Sequence, residues 1–161
     1  MSLSGKVKKI ALLGYFGCLM GLSTETLALS FNDIHKCRAL LDFLSENKLR
    51  SSISVYPEQD MAKIKDILQK YNKDIQGKYL DPALDEASGG DAGKRKLFED
   101  KISENHQIMV NNLGKRYPDS RIYTEFVLSL NNCVKTVRPS ESLKKPLNDI
   151  SDKMLSMALK K

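Results

Sequence analysis

IYTEFVLSLNNCVKTV, running from Ile122 to Val137, is the stretch whose reading decides the fold. With 100° per residue and Ile122 at zero, eight of its side chains fall within an arc of about 140°. They are Ile122, Tyr123, Phe126, Val127, Leu130, Cys133, Val134 and Val137. Thr124, Glu125, Ser129, Asn131, Asn132, Lys135 and Thr136 take the opposite side, and only Leu128 is out of place. This is the signature of an amphipathic helix, and it turns Cys133 toward a core. Its expected partner is Cys37, on a second helical pattern where Ile34, Cys37, Leu40, Leu41 and Leu44 share a face.

Other segments repeat the same period. Ser30-Phe31-Asn32-Asp33 has the spacing of an N-cap followed by an acidic N3 residue. The helix it opens is expected to run to about Asn47, with Phe31 also facing inward. Lys48 to Tyr56 is read as a loop, because the short alternation at Ile53 and Val55 has no second strand to pair with. Pro57, Glu58 and Asp60 suit the first turn of the next helix. Met61, Ile64, Ile67, Leu68, Tyr71 and Ile75 form its stripe, with Gly77 as the expected terminator and a short turn after Asp81-Pro82. Ser88 to Gly93 is the flexible break.

A third helix is expected over about Lys94 to Leu113, with Leu97, Phe98, Ile102, Met109 and Leu113 inward. A fifth begins near Pro139 and Ser140 and carries Leu143, Leu147, Ile150, Met154 and Met157, with Pro146 opening or kinking it. No internal repeat or convincing strand is evident in the sequence. The expected fold class is all-α: about five helices in a small bundle, the first and fourth joined by a Cys37–Cys133 disulfide.

The chain has 161 residues, 41% hydrophobic and 29% charged, enough for one domain with a real core and too apolar for wholesale disorder. Its first residues read as a cleavable signal peptide. Lys6, Lys8 and Lys9 precede the apolar run Ile10 to Leu22, and Thr24 to Ala28 supplies small residues at the −3 and −1 positions. Cleavage is expected after Ala28, giving a leader over 1–28 and a helical domain over 29–161. Gly17-Cys18 resembles the end of a lipobox, but Tyr15 and Phe16 are bulky where small residues belong, which argues against lipidation. Loss of the leader removes Cys18 and leaves two cysteines, an even count that in an exported chain reads as one disulfide. Taking Lys6, Lys8, Lys9 and Glu25 from the formal +6 leaves 23 basic and 19 acidic residues, a mild +4.

Catalytic patterns are weak throughout. Gly89 to Lys94 superficially resembles a phosphate loop, yet Ser88 stands where the first glycine belongs and Arg95 where the hydroxyl belongs. His35 and His106 each stand alone on their helix, without metal-ligand spacing. No C-x-x-C-H haem attachment occurs. Cys133 on an apolar stripe lacks the electropositive setting of a reactive thiolate. Glu141 is the least poor acid for an envelope-directed hydrolase. The basic clusters Lys94-Arg95-Lys96 and Lys144-Lys145 sit among charges of alternating sign, as on a solvated helical surface.

The expectation is a small exported helical protein, periplasmic or secreted, acting by binding, without a catalytic site, metal or cofactor. Its partner would be a protein or an anionic envelope surface, not nucleic acid, with membrane contact only through an uncleaved signal. The rival expectations are a small envelope hydrolase and a carrier whose inter-helix cavity holds lipid or haem.

Overall fold

The structure is a computed structural model and describes residues 30–160. The proposed signal peptide, with Cys18, lies outside the described residues. Seven α-helices follow in order: α1 (Phe31–Asp42), α2 (Leu49–Ser52), α3 (Glu58–Ile75), α4 (Asp81–Ser88), α5 (Ala92–Arg116), α6 (Thr124–Thr136) and α7 (Glu141–Ala158). Wide π-helical turns at Phe43–Lys48 and Gln76–Leu80 join α1 to α2 and α3 to α4 without a break. The described chain is therefore five helical rods, and the fold is all-α.

The start of α1 is held as its sequence requires. The Asp33 amide donates to Ser30 Oγ at 3.1 Å, and that hydroxyl donates to the Asp33 carboxylate at 2.7 Å. Around α1 stand α3, α5 and α6, while α7 closes the far side against α3 and α6. Leu41, Leu44, Ile64, Leu68, Tyr71, Ile75, Leu130, Val137, Leu147 and Met154 meet in the centre. Cys37 and Cys133 are brought to disulfide distance, with a Cα–Cα separation of 5.5 Å, where the first rod meets the fourth.

Side chains also tie the rods across the core. Tyr71 on α3 is fully buried, and its hydroxyl hydrogen-bonds the Val137 carbonyl and lies 3.1 Å from that of Cys133. It thereby satisfies the carbonyl end of α6, which has no further turn to bond. Asp74, one turn further along α3, accepts from the Ser140 amide at 2.8 Å at the entry to α7.

Several expectations need correction. The first rod does not stop near Asn47 but continues through Ser52, since Leu49 and Ser52 face the interior. Ser52 Oγ donates to the Lys48 carbonyl at 2.7 Å and contacts the Ser120 carbonyl at 2.6 Å. Gly77 terminates nothing: the backbone passes through it in a wide helical turn and stops at Gly89, whose φ of 59° is left-handed. Of the two positions open to Pro146, the structure has the inner one: it lies inside α7. Phe31 is exposed at 42%, Leu97 at 58% and Phe98 at 38%, because α5 borders α1 and α4 along one edge and Val110 is its only buried residue. Leu128, the one misfit of the α6 stripe, points to solvent.

Candidate functional site

Three helices build a trough of about 510 Å³ on one side of the disulfide. Helix α1 contributes Asp33, Lys36, Cys37, Ala39 and Leu40; α5 contributes Met109, Asn112, Leu113 and Arg116; α6 contributes Ser129, Asn132, Cys133 and Thr136. The α5 and α6 sets are spaced i, i+3, i+4, i+7, two successive turns of one helical face, and α1 has the same spacing with Ala39 added. The faces are mixed, with an apolar or sulfur-bearing centre (Leu40, Met109, Leu113 and the disulfide) and polar groups beside it. The volume lies within the range of about 300–1,000 Å³ typical of small-molecule sites.

The cysteine pair lies where one wall meets another. Phe43 meets Phe126 with ring centroids 5.8 Å apart, while Cys37 meets Cys133, so α1 and α6 run antiparallel past the trough. Of the charged groups lining it, Asp33 is engaged by Ser30 in the α1 cap. Lys36 makes no ion pair among the described residues. Arg116 lies 3.7 Å from Glu125 and over the Tyr117 ring, with its side chain 70% exposed. The lining thus carries one carboxylate, Asp33, and two cations, Lys36 and Arg116, of which Arg116 is paired with Glu125.

A polar seam runs between α1, α3 and α5. Arg38 Nε donates to Asn72 Oδ1 at 3.0 Å and Arg38 Nη2 to Gln76 Oε1 at 3.1 Å, and Asn72 in turn donates to the Asp42 carboxylate. The other Asp42 oxygen lies 2.8 Å from His106 Nε2. Thus His106, solitary in sequence, acquires a carboxylate 64 positions away. An Asp–His pair is the back half of a nucleophile-activating set. His106 Nδ1, the atom that would face a nucleophile, has no hydrogen-bond partner among the described residues.

His35 is buried beside the seam without joining it. It is 6% accessible, stands edge-on to Phe31 with centroids 4.4 Å apart, and neither ring nitrogen has a partner among the described residues. Burial first, then the positive charge of Arg38 and the proximity of His106, push its pKa below the ordinary histidine value. Below about pH 6.5 the unfolded chain takes up a proton that the folded chain refuses, so stability falls with acidification. Urea unfolding of wild type and His35→Phe at pH 7 and pH 5 checks this. The variant should lose less stability on acidification, and equal losses would contradict the assignment.

The remaining sequence candidates separate. Asp91 Oδ1 accepts from the Lys94 amide at 2.9 Å, so the chain's own carboxylate occupies the start of α5 where a phosphate would have to bind. Arg95 is held by Asp85, Glu99 and Asp81. The Glu141 side chain is 87% exposed in the first turn of α7 and pairs with Lys144 at 2.6 Å; it has no sheltering wall. Lys145 pairs with Asp149. Among the described residues no group of three or more His, Cys, Asp or Glu side chains is arranged to hold a metal ion, and no helix is long and apolar enough to cross a membrane.

Sequence reasoning missed Lys48, 2% accessible in a core position. Its ammonium donates to the carbonyls of Tyr117 at 2.9 Å and Asp119 at 2.6 Å. The rings of Phe43, Tyr123 and Phe126 surround it at 5.6–5.8 Å. Burial pushes its pKa down, and Asp119 opposes that shift. With its donors directed at backbone carbonyls, it secures the loop between α5 and α6 and is not a free amine for chemistry.

No protein family, curated protein or solved structure matches this chain in the three comparisons made.

Proposed function

We propose that this chain is a small exported helical protein that acts by binding, with the α1–α5–α6 trough as its binding face and no catalytic chemistry of its own. The observation that carries the reading is the trough: three helical faces, an apolar floor and a polar rim, held in register by a disulfide. Export is supported by the leader-like first residues and by the cysteine pair, since disulfides persist in oxidising compartments. The hydrolase reading rests on Glu141, whose exposure and pairing with Lys144 suit a helix-start residue better than a buried acid. Among carrier readings the trough favours an organic ligand over haem, because its lining offers Met109 but no histidine as an axial ligand.

The test is a titration of methyl-labelled protein with fractions of its host's envelope extract, observed at the methionine methyls. Met109 lines the trough, whereas Met61, Met154 and Met157 are buried in the core and serve as references. A saturable shift confined to Met109 is the expected result. Fractions that bind the protein while leaving Met109 unmoved would overturn the trough as its binding face.

A further inference from the structure

We infer that residues 92–105, the first half of α5, form an acid-released arm. It detaches from α1 and α4 when His35 takes up a proton, and the contact between His106 and Asp42 marks where the release stops. Two separate features meet here: a histidine with no place for a charge, and a stretch of helix with little holding it down.

His35 is 6% accessible, and neither ring nitrogen has a hydrogen-bond partner among the described residues. Every element around it withholds an acceptor. Phe31 covers it edge-on from the preceding turn of α1. Arg38, one turn further along α1, is a fixed cation whose donors go to the neutral amides of Asn72 and Gln76. Asp42 is already engaged by Asn72 and by His106 of α5. Asp81, at the start of α4, faces Arg95 at 3.6 Å. From α5, Lys101 adds a second cation beside Phe31. A proton on His35 in place therefore costs desolvation and repulsion together, and both are relieved once water reaches the ring.

The arm is the part of the fold that can give way. No residue from 92 to 105 is buried, and only Arg95 and Ile102 are half-buried. Phe98 and Ile102 border a cleft of about 310 Å³ against Phe31, Leu84 and Ala87. Arg95 reaches Asp81 and Asp85 across to α4, but these pairs are exposed and hold weakly. An isolated helix of about 14 residues is marginal in water, so the arm unwinds once it leaves α1. Beyond it the helix is anchored. His106 Nε2 lies 2.8 Å from Asp42, Val110 is buried, and Met109 and Leu113 are half-buried. Nε2–H can donate to Asp42 whether His106 is neutral or charged, so acid does not break that contact. The trough is lined by the anchored half, Met109 to Arg116, so the inference stands apart from the binding reading.

Amide hydrogen exchange by mass spectrometry on the intact protein tests this, with rates at pH 7 and pH 5 converted to protection factors. At pH 7 the arm should be less protected than residues 107–113, α6 and α7, because it opens without the rest. On acidification its protection should fall several-fold, with a ceiling of about 25-fold set by an ordinary histidine in the open state. His35→Phe and, as a second non-titrating replacement, His35→Leu should hold the arm's protection within about twofold between the two pH values. Thermal midpoints verify that each variant folds. An arm that exchanges only together with α7 would overturn the inference, as would arm protection that does not change with pH in the wild type. Loss of protection that persists in both variants would assign the response to another group and overturn it equally.

Discussion

Replacing Cys37 and Cys133 together by alanine is expected to lower the free energy of unfolding by about 4–5 kcal/mol, the largest effect of any pair of substitutions considered. The bond joins positions 96 residues apart, and in the chain-entropy account a loop of that length restricts the unfolded ensemble by about that amount. The Cα–Cα distance of 5.5 Å lies within the usual bridging range, so closure demands no backbone displacement. Both side chains are also buried, at 4% and 7% accessibility, so alanine removes packed sulfur from the α1–α6 contact in addition. Against a total stability of roughly 5–15 kcal/mol for a domain, the double variant should be marginal or unfolded at physiological temperature. Urea denaturation followed by circular dichroism measures the difference. A loss below about 1 kcal/mol would show that the bond is not what holds the first rod to the fourth.

The second large effect concerns Lys48. Lys48→Met preserves much of the aliphatic volume among Phe43, Tyr123 and Phe126 but removes the donors that hold the Tyr117 and Asp119 carbonyls. Hydrogen bonds to a charged group contribute about 1.5–3 kcal/mol each, and the relief of burying an ammonium offsets part of the loss. The expected net destabilisation is about 3 kcal/mol. Asp119→Asn should cost much less than Lys48→Met, because that carboxylate is largely exposed, its 3.7 Å approach to Lys48 is screened, and an amide oxygen can still accept from the Arg121 amide. Hydrogen exchange should locate the damage in residues 117–123. Unchanged stability, with that loop as protected as before, would mean that Lys48 does not anchor it.

Legibility in the sequence follows from the range over which each feature acts. The α6 stripe, the break at Gly89 and the pairing of the two cysteines could be read because periodicity, turn chemistry and cysteine arithmetic are local or categorical. Lys48 could not, since a lysine is placed in a core only by acceptors 69 and 71 positions away. The same holds for His106, whose partner Asp42 lies on another helix. Phe31, Leu97 and Phe98 were misread for a different reason. A periodic apolar face states what can be buried, and only the arrangement of neighbours decides whether anything covers it. The continuation through Gly77 escaped because wide π-helical turns relieve a constraint that a regular helix would enforce.

The trough was legible in one respect and hidden in another. Its three contributing faces share the spacing i, i+3, i+4, i+7, visible in the sequence once sought. Each mixes apolar and polar residues, however, and such a face reads as the edge of a core stripe until the partner helices are known.

The proposed export and the Cys37–Cys133 bond can be tested together. The most direct measurement is the intact mass of the protein recovered from its host's exported fraction, alkylated with and without prior reduction. The account predicts a chain beginning at Leu29 in which two thiols become alkylatable only after reduction. A full-length chain with three thiols free before reduction would contradict the leader, the compartment and the Cys37–Cys133 bond together.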